Sequence, residues 1–287
     1  MNKKLLRLFF WWIKERQLIY MRRLARKPEP WTKDPILQTY KFTNVFRQQD
    51  RVTQEWLKLR KLTKNRKGME ELYFNIILFR FFNWPQSYDA IGGWCKEWNG
   101  RKAAAILRKR KKEGRKVITG AYMITNMGRT GAKTDMMCKA LTKIWQTHKE
   151  DARKVWGMKT IEESVAFMTE YPMVGRFVAY EFATDMRHTA ILENAEDIFT
   201  WANAGPGCKR GLNRLHKRDI RTKPHNDQCV HEMILIMKAQ KEFLPKEFPL
   251  LEMRDIEHSL CEFDKYCRAK FGEGRPRSKF TPWRYVP

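Results

Sequence analysis

"MEELYFNIILFRFFNW", residues 69 to 84, is apolar on nearly every side. A helix with one apolar stripe lies on a surface, whereas one that is apolar all round must be enclosed by other elements. The stretch therefore predicts a central, buried helix that ends at Pro85. Around it the chain keeps helical spacing. Residues 4 to 26 read as one helix, "KPEPWTKDP" (27 to 35) as a proline-punctuated turn, and 36 to 61 as one or two helices. "YDAIGGWCKEW" starts another helix at 88, and "AAAILRKRKKEGRK" (103 to 116) is a helix that ends in a basic run before Gly114. A soft boundary falls there, between an N-terminal region, 1 to 115, and a second, 116 to 287. "KVITGAYMI" (116 to 124) fits either a short strand or the start of an apolar helix. Further helices are expected at about 133 to 153, 160 to 169, 175 to 189, 195 to 203, 207 to 217, 226 to 243 and 252 to 271. The tail "GEGRPRSKFTPWRYVP" is basic and proline-rich, without helical character. The fold class is all-α and multi-helical, with no internal repeat.

Composition sets the partner class. A chain of 287 residues suits one large domain or two smaller ones, and 43% hydrophobic content with 11 Trp and 17 Phe argues against disorder. Lys and Arg outnumber Asp and Glu by 58 to 32, a net charge of +26. Such a charge repels itself in a compact state unless an anionic partner relieves it. Nucleic acid is the leading partner, ahead of a basic protein with no such ligand and of a membrane surface. Met1 to Ile13 resembles a signal peptide in its lysines and apolar run, but Arg7 interrupts that run and no small-residue cleavage site follows. The six cysteines read as reduced thiols, with no CxxC pair and no zinc spacing.

Four stretches have the residue types for chemistry. In "YPMVGRFVAYEFATDM" (171 to 186), a turn with Pro172 and Gly175 joins two helices, the form of a helix-hairpin-helix. Gly175 and Arg176 would there meet a DNA phosphate, although many helical corners share this pattern. "WANAGPGCKRGLNRL" (201 to 215) sets Gly205 and Gly207 ahead of Lys209 and Arg210. It reads as a phosphate or pyrophosphate cradle or as a plain helix start; GxxxxGK[ST] is absent. In "MRDIEHSLCEFDKYCR" (253 to 268), Glu257, Cys261, Asp264 and Arg268 share a helix face, with His258, Glu262 and Lys265 adjacent. A carboxylate there serves either as a general base or in ordinary i,i+4 pairs. In "YKFTNVFRQQDRVTQEWLKLR" (40 to 60), Asn44, Arg47, Asp50 and Arg51 lie among aromatic residues. Two arginines oriented by Asp50 would clamp a phosphate; the alternative is core plus surface pairs.

Together, "PWTKDPILQTYKFTNVFRQQDR", "FNIILFRFFNWP", "VGRFVAYEFATDM", "GPGCKRGLNRL" and "DIEHSLCEFDKY" resemble successive blocks of the alpha-glutamyl/putrescinyl thymine pyrophosphorylase family. That family takes in the helical domain attached to phage 5-hydroxymethyluracil DNA kinases and is regarded as related to helix-hairpin-helix DNA glycosylases. The resemblance runs from about residue 9 to 280. It implies a glycosylase-like helical architecture and an enzyme of thymine hypermodification in phage DNA, acting in the bacterial host cytoplasm. A kinase pyrophosphorylates 5-hydroxymethyluracil in DNA, and a family member then displaces pyrophosphate with an amine from an amino acid or a polyamine. With no P-loop, the chain looks like the transferase rather than the kinase. The partners implied are double-stranded DNA with modified uracil and the amine. No cofactor motif is present, although a divalent metal at the pyrophosphate is compatible with the chemistry.

The implied roles follow residue by residue. Arg47, Arg51, Lys209 and Arg210 would hold the pyrophosphate, with Asp50 orienting them and Asn44 at the base edge. Glu257 or Asp264 would take the amine proton, with His258 and Lys265 in support. The glycosylase analogy adds Asp185 or Asp197 as a catalytic aspartate. The competing functions are a glycosylase acting on a modified base and a non-catalytic DNA-binding module.

Overall fold

The computed structural model describes residues 1–58, 66–119, 124 and 130–281, without the side chains of Arg51, Arg66 and Lys67. Among them the fold is all-α, as expected; the sole β feature is a bridge between Tyr40 and Lys279. No described helix is long and apolar enough to cross a membrane. The chain divides into two compact units, Met1–Asp50 with Ile198–Pro287, and Arg51–Asp197. Residues 115 and 116 both lie inside the second unit, so the expected halves do not coincide with these bodies.

The Arg51–Asp197 unit contains α3 (Arg51–Leu57), α4 (Arg66–Phe82), α5 (Pro85–Ala90), α6 (Gly100–Lys112), α7 (Lys133–Trp156), α8 (Ile161–Met168) and α9 (Arg176–Met186). Helix α4 is the enclosed helix that its sequence predicts. Phe74, Ile77, Leu78, Phe81 and Phe82 have no accessible surface, and α7, α9 and α5 pack around it. Each such side chain contributes about 1.5–3 kcal/mol by leaving water. The helix stops where Asn83 turns into the left-handed region (φ 45°), and Pro85 then occupies the first turn of α5. The 195 to 203 segment, expected as a helix, is a series of turns. Its Asp197 is used elsewhere, accepting the Ile161 and Glu162 amides at 2.7 and 3.0 Å to cap α8. Lys116–Thr119, the described start of the expected short strand or helix, is irregular. Residues 120–123 lie outside the described residues.

The other unit contains α1 (Lys3–Leu24), α2 (Pro35–Thr39), a 3-10 turn (Arg47–Gln49), α10 (Pro206–Leu215), α11 (Asn226–Phe243) and α12 (Met253–Lys270). Its axis is α12, which packs against α10 most extensively and also against α11, α1 and α2. The approach to α10 requires glycine. A Cβ on Gly207 would stand 2.1 Å from the Cys261 sulfur, and one on Gly211 would stand 2.4 Å from the Leu260 carbonyl oxygen. Phe9 of α1 meets Phe263 edge-on at 5.3 Å, while Phe10 stacks on Phe243 of α11 at 5.0 Å. Asp34 caps α2 with one oxygen, and its other oxygen accepts the Tyr266 hydroxyl at 2.8 Å.

Of the expected helix at 36 to 61, residues 36–39 and 51–57 are α-helical, while 59–61 lie outside the described residues. Residues 41–46 form no helix, because their polar groups bond to distant partners instead of to one another.

Candidate functional site

Helix α12 is buried along its length except for one row. Between Met253 and Ala269, only His258, Cys261, Lys265, Arg268 and Ala269 keep partial access to solvent. The first four recur at three- and four-residue intervals, so they form a line along one face. The 42–50 segment borders this row on one side and α10 on the other.

On the first side, the Thr43 hydroxyl and the His258 Nε2 are 2.5 Å apart. The Thr43 amide donates to Glu262 at 3.0 Å, and Lys265 Nζ reaches the same carboxylate at 2.6 Å while lying 4.7 Å from the centre of the Phe42 ring. Burial alone would raise the Glu262 carboxyl, but Lys265, His258 and the Thr43 amide outweigh it and hold it below the usual range. Asn44 is held by three bonds: its Nδ2 donates to the Gln49 carbonyl at 2.7 Å, its Oδ1 accepts from Arg16 at 2.6 Å, and its amide donates to Asp50 at 3.2 Å. Arg47 is buried. Arg51 begins α3, and its side chain lies outside the described residues.

Asp255 closes the end of this side. It forms a reciprocal capping box with Glu252 and accepts the Glu252 amide at 3.0 Å. Burial pushes its carboxyl up to about 7, against the pull of the Glu252 and Arg47 amides and of Arg254. The sequence reading missed it, although Glu252-x-x-Asp255 before an apolar run is a cap pattern.

On the α10 side, Gly205 caps the helix and donates its amide to Glu257 Oε1 at 3.2 Å, while Arg254 holds Oε2 at 2.7 Å. Glu257 is thus a buried, bonded carboxylate that fixes the Gly-Pro-Gly turn. Lys209 donates to the Pro224 carbonyl at 2.8 Å. Asp264 has no accessible surface and gathers three guanidiniums: Arg210 at 2.9 Å, Arg214 at 2.8 Å and Arg268 at 3.5 Å. Arg214 is itself enclosed and forks onto Glu273 at 2.9 and 2.5 Å. Arg210 and Arg268 keep 41% and 37% of their side-chain surface accessible, so Asp264 holds two cations that still face water. Burial pushes the Cys261 thiol up to about 12, which leaves it protonated and inert.

The 5-hmdU DNA kinase helical-domain family model matches residues 3–275. The chain belongs to this family. A 5-hmdU DNA kinase of Bacillus phage SP10 is 32% identical over 279 residues, covering 88% of this chain and 43% of the phage protein. The chain therefore spans less than half the length of that relative. No solved structure matches.

Five of the residues singled out in this helical-domain chain, Arg51, Gly175, Arg176, Asp185 and Asp197, lie in the Arg51–Asp197 unit. Asp185 has no accessible surface and receives Arg80 through two bonds, from Nε and, at 2.9 Å, from Nη2. Arg80 also donates to Asn83 and Thr53, at 2.8 and 3.0 Å. Asp197 spends both oxygens on the α8 cap. Gly175 caps α9 in an extended conformation, and the left-handed residue of that hairpin is Met173 (φ 66°). Arg176 beside it is exposed. By contrast, Asn44, Arg47 and Asp50, the Gly205–Arg210 segment and the α12 residues share the other unit, joined by the bonds from Thr43 and Gly205 to α12.

Proposed function

We propose that this chain exchanges pyrophosphate for an amine on 5-pyrophosphoryloxymethyl-deoxyuridine in phage DNA, leaving a hypermodified thymidine, and that the accessible row of α12 carries the reaction. One observation supports this most. Two segments far apart in sequence, 42–50 and 205–214, flank α12 and leave an open line of His258, Lys265 and Arg268, with Arg210 alongside. The SP10 relative is named for a kinase of 5-hmdU DNA, and the product of such phosphorylation has the leaving group this row suits.

In the reaction, the bond between the base methylene and the pyrophosphate oxygen breaks, and its electron pair leaves with pyrophosphate. The amine nitrogen bonds to the methylene carbon and gives up a proton. Arg210, Arg268 and Lys265 take the charge developing on the departing group, each held by a carboxylate behind it, Asp264 or Glu262. His258, held at Thr43, receives the amine proton. Glu257 and Asp264 are positioning residues, since their oxygens are already bonded. Asn44, Arg47 and Asp50 border the base, and Lys209 with the Gly205 and Gly207 turn shapes the α10 edge. Gly175 and Arg176 contact the DNA backbone. The amine is an amino acid or a polyamine.

The test is nucleoside mass spectrometry after incubation of the protein with pyrophosphorylated hydroxymethyluracil DNA and separate amines. One amine should give a nucleoside heavier than thymidine, with release of pyrophosphate. Abasic sites in place of that product would show a glycosylase and overturn the proposal.

A further inference from the structure

Helix α6 has a face that the chemistry above does not use. Over Gly100–Lys112 it carries Arg101, Lys102, Arg108, Lys109, Arg110, Lys111 and Lys112 and no acidic residue. Ala103, Ala104 and Leu107 are buried on the α7 side, where Gly100 lies so close to Thr142 that a Cβ would stand 2.2 Å from its hydroxyl. The opposite face holds Arg101, Lys102, Arg108, Lys109 and Lys112, all exposed, with the small Ala105 among them. Arg108 is paired with Asp135 at 2.7 Å; Arg101, Lys102, Lys109 and Lys112 have no ion pair among the described residues. The accessible cations of the α12 row differ, since each has a carboxylate partner.

A solvated basic helix end has an ordinary explanation, because cations in the last turn complement the helix dipole. That accounts for Lys109–Lys112, but Arg101 and Lys102 stand in the first turn, against the dipole. Arg108 with Lys112 and Lys109 with Lys112 are like charges one turn apart, which weakens a helix unless an anion lies over them. From Arg101 to Lys112 the face runs roughly 16 Å, a length along which duplex DNA presents several phosphates. Exposed Lys139 and Lys143 of α7 extend the positive charge beside the α6 N-terminus.

We propose that the solvent face of α6 is a docking surface for the phosphate backbone of duplex DNA, read without regard to base sequence. The inference shares with the proposed function the choice of DNA as partner, and none of its chemistry. The experiment is fluorescence anisotropy of a short unmodified duplex over roughly 50–200 mM salt, with the wild type and the combined Arg101→Ala, Lys102→Ala, Lys109→Ala, Lys112→Ala variant. Alanine preserves the helix, which circular dichroism checks. Each lost phosphate contact removes about 0.9 from the slope of log affinity against log salt, so the variant slope should be shallower by about 3 to 4. An unchanged slope overturns the proposal, as does a variant that loses binding to anionic vesicles while keeping the wild-type DNA slope. Amine transfer that fails while the slope difference stands would remove the proposed reaction and support the docking face.

Discussion

Replacing Asp264 by asparagine tests how the cation cluster is held. The carboxylate has no accessible surface and faces Arg210, Arg214 and Arg268 at 2.9, 2.8 and 3.5 Å. Breaking a buried ion pair by removing one partner costs about 3–5 kcal/mol when the remaining charge is uncompensated. Here that figure is an upper limit. Arg214, the enclosed member, keeps its fork onto Glu273, while Arg210 and Arg268 turn into solvent, where screening makes their loss small. The expected destabilisation is about 2–3 kcal/mol, localised to the α10–α12 pair. Native-state hydrogen exchange reads it directly, because α12 amides should exchange roughly 30- to 150-fold faster. The two freed arginines should also weaken binding of the pyrophosphorylated substrate by about tenfold, since an unanchored guanidinium gives up rotamer entropy on binding. Exchange of α12 within about threefold of wild type would refute this view of Asp264.

Three further outcomes follow from the geometry. Asp255, with its carboxyl raised to about 7, keeps its proton in the folded chain while the unfolded chain loses it near the ordinary aspartate value. The contribution of Asp255 to stability should therefore be full below pH ~4, fall by up to about 4 kcal/mol as pH rises to about 7, and then level off. Asp255→Asn should flatten that decline in urea melts taken across the range. Asp185→Asn removes the buried carboxylate from the Arg80 guanidinium, which keeps its bonds to Asn83 and Thr53, so thermal unfolding of its unit should show a loss of at most about 3–5 kcal/mol. Gly211→Ala drives a methyl against the Leu260 carbonyl oxygen at 2.4 Å. The cost of about 1–3 kcal/mol should exceed the gain of about 1 kcal/mol in helix propensity and appear as a lower urea midpoint.

Some of this architecture was legible in the sequence because its causes are local. The residues of α4 are apolar on nearly every side, so the helix had to be enclosed, and the helix expected at 226 to 243 is α11. The 252 to 271 pattern of apolar and charged residues placed α12 within one residue at each end. The 42–50 segment was not legible, since nothing local tells Thr43 to bond His258 and Glu262, 215 and 219 positions away. The same holds for 195 to 203, where Asp197 serves a helix that begins 36 residues earlier. Spacing along α12 showed that Asp264 and Arg268 share a face, but the arginines of α10 that also reach Asp264 come from 54 and 50 positions before it. Glycine-rich composition suggested an anion cradle at Gly205 and Gly207, whereas the nearest atoms to Gly207 belong to Cys261, a packing contact.

The direct test of the α12 site is a titration of the isotopically labelled protein with inorganic pyrophosphate, followed through the ring resonances of its six histidines. The His258 signals should move in a saturable way while the others stay fixed, and a combined Lys265→Ala, Arg268→Ala variant should lose the response. Shifts confined to other histidines, or an undiminished His258 response in that variant, would contradict it.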